Sequence, residues 1–311
     1  MGTIPLQPGN FQPPVLSASS VVFTEDAQSI HFTGKNFDIR FDKNSGWLTQ
    51  YTLGGKEILL SPLEPHFWRE PTDNDIGNSQ QMRCAVWKDV LHSARLEFIR
   101  VEKDTAGRNI VVTQIALPAV DAQYHARYLV QPDGSILISA GMKAGKSTQP
   151  ELPRFGMRVL LKGSYDNVSW FGRGPFDNYE DRKTASAVGL YRMKADSLFH
   201  PYPRAQESGY RTDVRHISMT DASGRGLTAQ GLPLICTGVL HFDMTRLGFD
   251  RHATENNHGG SMQREDLVWW NIDYKQSGVG GDNSWGATPH AEYMLPYRDY
   301  QYSFILRPVA P

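Results

Sequence analysis

Short alternating segments follow one another from Val21 to the end of the chain, with almost no helical periodicity between them. Residues 29–33 (SIHFT) and 38–41 (DIRF) alternate polar and apolar side chains, the period of a strand with one buried face. The turn 42–46 (DKNSG) follows, then 47–51 (WLTQY) and a Gly54-Gly55 turn. Further strands are predicted at 95–101, 110–116, 123–130, 135–140, 154–161, 214–219, 235–241, 267–273 and 300–307. Segments 132–134 (PDG) and 222–224 (ASG) carry ordinary turn chemistry. One helix is predicted over 80–92, where Met82, Val86, Trp87, Val90 and Leu91 recur at spacings of three and four, and a second short one over 245–250. Strands do not alternate with helices, so the pattern disfavours a parallel α/β sheet and predicts an all-β sandwich. At 311 residues, one large all-β domain from residue 21 onward accounts for the chain.

Residues 1–20 read differently. Pro5, Pro8, Pro13 and Pro14 sit among Gly2, Gly9 and several serines with no periodic apolar pattern, which is the composition of a linker that follows another unit. The first residues lack the basic-then-apolar order of a signal peptide, and no apolar run is long enough to span a bilayer, so no membrane partner is expected. With 32 basic against 33 acidic residues the chain has no basic excess for phosphate binding, which argues against nucleic acid as a partner. Two cysteines, Cys84 and Cys236, are too few for a disulfide framework and read as buried thiols, with a single disulfide as the alternative.

Four stretches hold more Gly, Pro, Trp and paired polar residues than a plain sandwich needs. In 67–77 (FWREPTDNDIG), Asp73 and Asp75 could face a cation, but without further acidic ligands they read as a structured turn bonded to its own backbone. In 171–182 (FGRGPFDNYEDR), the Gly-x-Gly lacks the Lys and Ser/Thr of a phosphate loop, and a tight loop held by Arg173–carboxylate or Asp181–Arg182 pairing is expected. Residues 201–215 (PYPRAQESGYRTDVR) form a Pro-bounded polar connection that is either solvated or ligand-facing. In 278–285 (GVGGDNSW), Asp282 and Asn283 offer donors and acceptors to hydroxyls, and Trp285 offers a flat apolar face suited to the C–H side of a sugar. The alternative is a tryptophan that pins the loop to the core. No H-E-x-x-H, Cys/His zinc pairing or G-x-S-x-G is present, and no acid pair is marked by its context as the acid and nucleophile of a glycosidase.

Taken together, in this order and spacing, the four stretches resemble the C-terminal domain, or small subunit, of family 2 β-galactosidases over nearly the whole chain after the linker. The resemblance implies a β-supersandwich like that of galactose mutarotase. It implies that the catalytic barrel, with its acid/base and nucleophile glutamates, is a separate partner domain or large subunit, so that no catalytic residue lies in this chain. Trp285 matches the family's active-site tryptophan, which packs against the aglycone sugar, with Asp282 and Asn283 beside it. Arg204, Glu207 and Ser208 belong to the loop at the active-site mouth. That loop reads Ala205-Gln206-Glu207-Ser208-Gly209 where the family often has Pro-Gln-Glu-Asn-Gly. The family's Mg²⁺ and Na⁺ are implied to bind elsewhere in the complete enzyme, leaving this chain without a cofactor. The substrate implied is a galactoside. Two other readings stand beside this one. A stand-alone aldose 1-epimerase would draw on His200, His216, Glu207 or Asp282, and a carbohydrate-binding module would bind sugar without turning it over.

Overall fold

A computed structural model describes residues 21–248, 260, 262–283 and 285–310. The predicted linker 1–20 lies outside the described residues, as do Phe249 and Asp250 of the second predicted helix and Ser284 of the 278–285 motif.

The all-β expectation holds. The chain opens with a five-stranded antiparallel meander, Val22–Glu25, Ser29–Thr33, Phe37–Asp42, Leu48–Leu53 and Lys56–Glu57, paired in chain order. Its inner face is written in alternate positions: Ile30 and Phe32, then Ile39 and Phe41, then Leu48 and Tyr51 are all buried. The spacing departs from two once, between Leu48 and Tyr51, and the strand pairing carries a register shift at Arg40/Phe41 in the same ladder. This face packs on the second sheet: the Phe41 and Tyr128 rings lie 5.0 Å apart, and the Tyr51 hydroxyl donates to the Gly134 carbonyl at 2.7 Å. Each such ring, fully buried, contributes on the order of 1.5–3 kcal/mol relative to exposure.

The second sheet has twelve strands, also antiparallel. Its main path runs from Ala187–Lys194 at one edge through Asn167–Gly174, Tyr210–Thr220, Gly226–Leu240, Tyr300–Val309, Ile136–Ala144, Ala122–Val130 and Asn109–Leu117 to Arg95–Lys103. It forks at the fifteen-residue strand Gly226–Leu240. Residues 226–232 pair with Tyr300–Val309, and residues 236–240 pair with Leu267–Gln276. Beyond that branch lie Arg154–Lys162 and the short Glu64–His66. The fork matters for function because it places the C-terminal end of Leu267–Gln276 and the start of Arg154–Lys162 beside the long loops.

The predicted helix over 80–92 is corrected. It is broken into an α-turn Gln80–Arg83 and two 3₁₀ turns, Ala85–Trp87 and Val90–Ser93. Ser79 at its start is left-handed and gives no capping bond, while Cys84 and Asp89 sit near φ −103° and −111° with ψ close to zero, so the i→i−4 ladder is interrupted twice. Trp87 and Val90 are buried as the periodicity asked, but Met82 is 71% exposed. The second predicted helix is a 3₁₀ turn, Met244–Leu247, capped by the Asp243 carboxylate. Both cysteines are buried free thiols.

Candidate functional site

The four unusual stretches converge. Residues 69–75 grip 277–279. The Arg69 guanidinium donates to the Ser277 carbonyl at 2.7 Å and the Gly278 carbonyl at 2.9 Å, and pairs with both Asp75 oxygens at 2.8 and 2.9 Å. Asn74 Nδ2 donates to the Val279 carbonyl at 3.2 Å. Asp75 is itself fixed by a capping box: its carboxylate accepts from the Thr72 backbone N–H at 2.9 Å while the Thr72 hydroxyl accepts from the Asp75 N–H. This turns the expected Asp-rich turn into a one-turn helix, Asp73–Gly77, and Asp75 is committed to Arg69 and Thr72 rather than to a cation. Among the described residues no group of three or more His, Cys, Asp or Glu is placed to hold a metal.

Residues 171–182 supply the second grip. Asp181 Oδ2 accepts from the Gly280 N–H at 2.7 Å. A Cβ on Gly278 would stand 2.6 Å from that same carboxylate oxygen, so glycine is required for the approach. The expected Arg173–carboxylate pair exists, with Asp213 as its partner, and Arg182 pairs with Asp177 at 3.4 Å rather than with Asp181. Replacing Asp181 by alanine removes a charge-assisted hydrogen bond of about 1.5–3 kcal/mol. Amide exchange at Gly280 is therefore expected to speed up about ten- to hundredfold, measured by hydrogen–deuterium exchange.

On this clamped base the loop carries a free indole. Trp285 is 91% exposed, the most exposed large apolar side chain among the described residues. It is not a pin to the core. The Trp285 backbone N–H donates to Asn283 Oδ1 at 2.9 Å, so Asn283 shapes the turn that presents the ring. Asp282 meets His290 Nε2 at 2.8 Å across the base of the same loop, and this contact raises the His290 pKa. Gly286, at φ +109°, closes against the Gly77 carbonyl.

The remaining expected contact residues divide. Arg204 lies at the surface and pairs with Asp73 at 3.0 Å, tying the 201–215 connection to the Asp73–Gly77 helix. Gln206 reinforces that tie by accepting from the Asp73 N–H at 3.2 Å. Ser208 is 2% exposed, and its hydroxyl both donates to the His200 carbonyl and accepts from the His200 N–H, which leaves it a strut inside the connection. Glu207 is 5% exposed and forms an ion pair with Arg154 at 3.2 Å.

Arg154 is the hub that sequence reasoning missed. It is fully buried at the start of strand Arg154–Lys162, between Glu207 and Asp273, with the latter at 3.5 Å. It also donates to Gln276 Oε1 at 2.9 Å and lies 3.2 Å from His66 Nδ1. Burial raises the Glu207 carboxyl, opposed by Arg154 and Arg69. Burial pushes Asp273 up to about 7, opposed by Arg154 and by the Tyr210 hydroxyl at 3.0 Å. Burial and Arg154 hold His66 well below its usual value, so it is neutral at neutral pH. The only signal in the sequence was a charged residue opening a nearly continuous apolar strand.

The chain is thus an all-β protein of two antiparallel sheets, with four interlocked loops at one end and an open tryptophan on them. Solved structures of similar fold include a galactose mutarotase related enzyme from Lactobacillus acidophilus (TM-score 0.46, 7% identity, covering 94% of this chain and 98% of that one). Galactose 1-epimerase from the same species is another (TM-score 0.46, 9% identity, covering 93% and 98%). The family described as Beta galactosidase small chain matches residues 33–306, and the chain belongs to that family. The β-galactosidase of Priestia megaterium is 34% identical over 299 residues, which cover 95% of this chain and 28% of that protein. The β-galactosidase of Vibrio cholerae is 30% identical over 306 residues, covering 95% and 28%. The chain thus spans about 28% of the length of these curated relatives.

Proposed function

We propose that this chain is the accessory, C-terminal part of a family 2 β-galactosidase that hydrolyses terminal β-D-galactosides such as lactose. The exposed indole of Trp285 on a loop clamped by Arg69, Asn74 and Asp181 carries this reading. An aromatic ring held on a rigid base and left without a partner is suited to complete a sugar pocket formed with another surface. The catalytic carboxylates, and the Mg²⁺ and Na⁺ of the complete enzyme, belong in this reading to a barrel domain or large subunit. Glu207 and Asp273 suit it, since they straddle Arg154 and are closed off from solvent, where neither can reach a glycosidic oxygen. The chain would add a stacking wall, exclude water and orient the leaving sugar.

The epimerase reading has one observation in its favour, the exposed His290–Asp282 pair beside Trp285. Purified chain incubated with a chromogenic galactoside, and in parallel with α-D-galactose in a polarimeter, separates the two. The accessory reading predicts neither hydrolysis nor faster mutarotation. Accelerated mutarotation would favour the epimerase, and hydrolysis by this chain would overturn the division of labour.

A further inference from the structure

We infer that His290 is the positioning residue of the Trp285 wall: its ring stands on anchored backbone, holds Asp282 across the loop, and so sets where the indole lies. The use made of the wall rests on the β-galactosidase reading; the tie between His290 and the indole does not.

The first observation is that His290 is fixed to the body of the domain. It precedes the 3₁₀ turn Ala291–Tyr293, and its carbonyl accepts from the Tyr293 N–H at 2.9 Å. The Tyr293 carbonyl accepts from the Gly278 N–H at 2.7 Å, and the Leu295 carbonyl from the Leu152 N–H at 2.7 Å. The outgoing arm is fixed as far as Gly280 by Asn74 and Asp181. Between Gly280 and His290 the chain turns back on itself and carries Trp285.

The second observation is that the core does not hold the indole. Trp285 is 91% exposed, so contacts within the loop must place it. Among the described residues, two side-chain hydrogen bonds act within 281–290. The Asn283–Trp285 bond spans two positions and shapes the tip alone. The bond between His290 Nε2 and Asp282 Oδ1, at 2.8 Å, spans eight and joins the outgoing arm to the anchored turn. The arms also close at Gly281, where a Cβ would stand 2.5 Å from the Ala287 carbonyl. That approach brings the arms together without a directed bond. Asp282 lies three positions before Trp285, so fixing its carboxylate limits where the ring can go.

The third observation is that the tie carries charge. The charged groups acting on the His290 ring are Asp282, through its hydrogen bond and then its charge, and Glu292; all of them raise its pKa. Protonated, the ring donates a charge-assisted bond to Asp282, and above its pKa only an uncharged bond remains. The wall is therefore held best on the acid side. Both side chains are largely exposed, at 57% and 81%, so the tie shifts an equilibrium by about two- to fourfold. That is enough to place a ring and too little to hold a fold.

His290→Ala and His290→Gln test the assignment, the glutamine keeping an N–H donor that does not titrate. The full chain would be labelled with fluorotryptophan and its Trp285 line assigned by its loss in Trp285→Phe. Fluorine NMR would follow that line from about pH 5.5 to 8.5. In the parent the line is expected to titrate once, with a midpoint above the usual histidine value; in both variants it is expected not to titrate. In the complete enzyme, His290→Ala is expected to raise KM for lactose about two- to fourfold at the acid end, with kcat unchanged. The ratio to the parent should shrink above the midpoint. His290→Gln should recover most of the loss, with a ratio that is flat in pH. A Trp285 line that ignores pH in the parent, or titrates alike in the alanine variant, would overturn the inference. So would an unchanged KM in His290→Ala where Trp285→Ala raises it. A variant melting several degrees lower would make His290 a strut of the fold, and mutarotation of galactose lost in His290→Ala would make it an acid–base group; each overturns the positioning role. A line that follows His290 in a chain whose Trp285→Ala enzyme keeps its kinetics would leave the tie standing and sink the β-galactosidase reading instead.

Discussion

Trp285→Ala in the complete enzyme is expected to raise KM for lactose about ten- to thirtyfold and to leave the melting temperature of this domain unchanged. The first effect follows from losing an aromatic face worth roughly 1.5–2 kcal/mol against a sugar ring. The second follows from the indole being 91% exposed, so that its removal opens no cavity. The loss should be smaller for an aryl galactoside, whose leaving group presents no second sugar to the ring. Steady-state kinetics with both substrates, beside a thermal melt, measures this. Equal kinetics in parent and variant would refute the wall.

Arg154→Ala is expected to be the most destabilising single change near the site. The guanidinium lies between Glu207 and Asp273, and breaking a buried ion pair from one side typically costs about 3–5 kcal/mol because an uncompensated charge remains. The pH dependence has a definite sign. Unfolded carboxyls titrate near 4, whereas burial raises both acids in the folded chain, Asp273 to about 7. Between those values the folded state holds more protons than the unfolded state, so stability falls as pH rises. Without Arg154 the rise of both carboxyls grows, and the deficit of the variant should be least near about pH 5 and greatest above about pH 7. Denaturant unfolding of parent and variant across that range measures it, and a deficit that does not change with pH would show that the two acids do not feel the arginine.

The sheet was legible wherever a strand has one dry face. Ser29–Thr33 alternates in polarity and buries Ile30 and Phe32 on one face, with Ser29 buried as well, and its predicted bounds match the observed ones. The edge strand Ala187–Lys194 was not read, because polarity and burial disagree along it: Val188 and Leu190 point outward while Tyr191 and Met193 are half-buried. Glu64–His66 is three residues long with a central proline, too short for any period. The site was legible as four dense loops because their glycines, prolines and acids answer local demands, such as Gly278 against Asp181. What the sequence could not show is which polar groups the fold spends on itself. Glu207, Ser208 and Asp75 have the composition of contact residues, yet their partners, Arg154, His200 and Arg69, are set by tertiary approach. Glu207 and Arg154 are 53 positions apart, and no periodicity links them.

The central claim is that the reactive acids of the enzyme and the aromatic wall of its sugar pocket lie in different parts of the protein. It is tested most directly by measuring lactose hydrolysis with the catalytic barrel portion and this chain, each alone and then combined. The account predicts no turnover from this chain, weak turnover at best from the barrel portion, and restored turnover on combining them that falls when Trp285 is alanine. Hydrolysis by this chain alone, or a barrel portion equally active without it, would contradict the account.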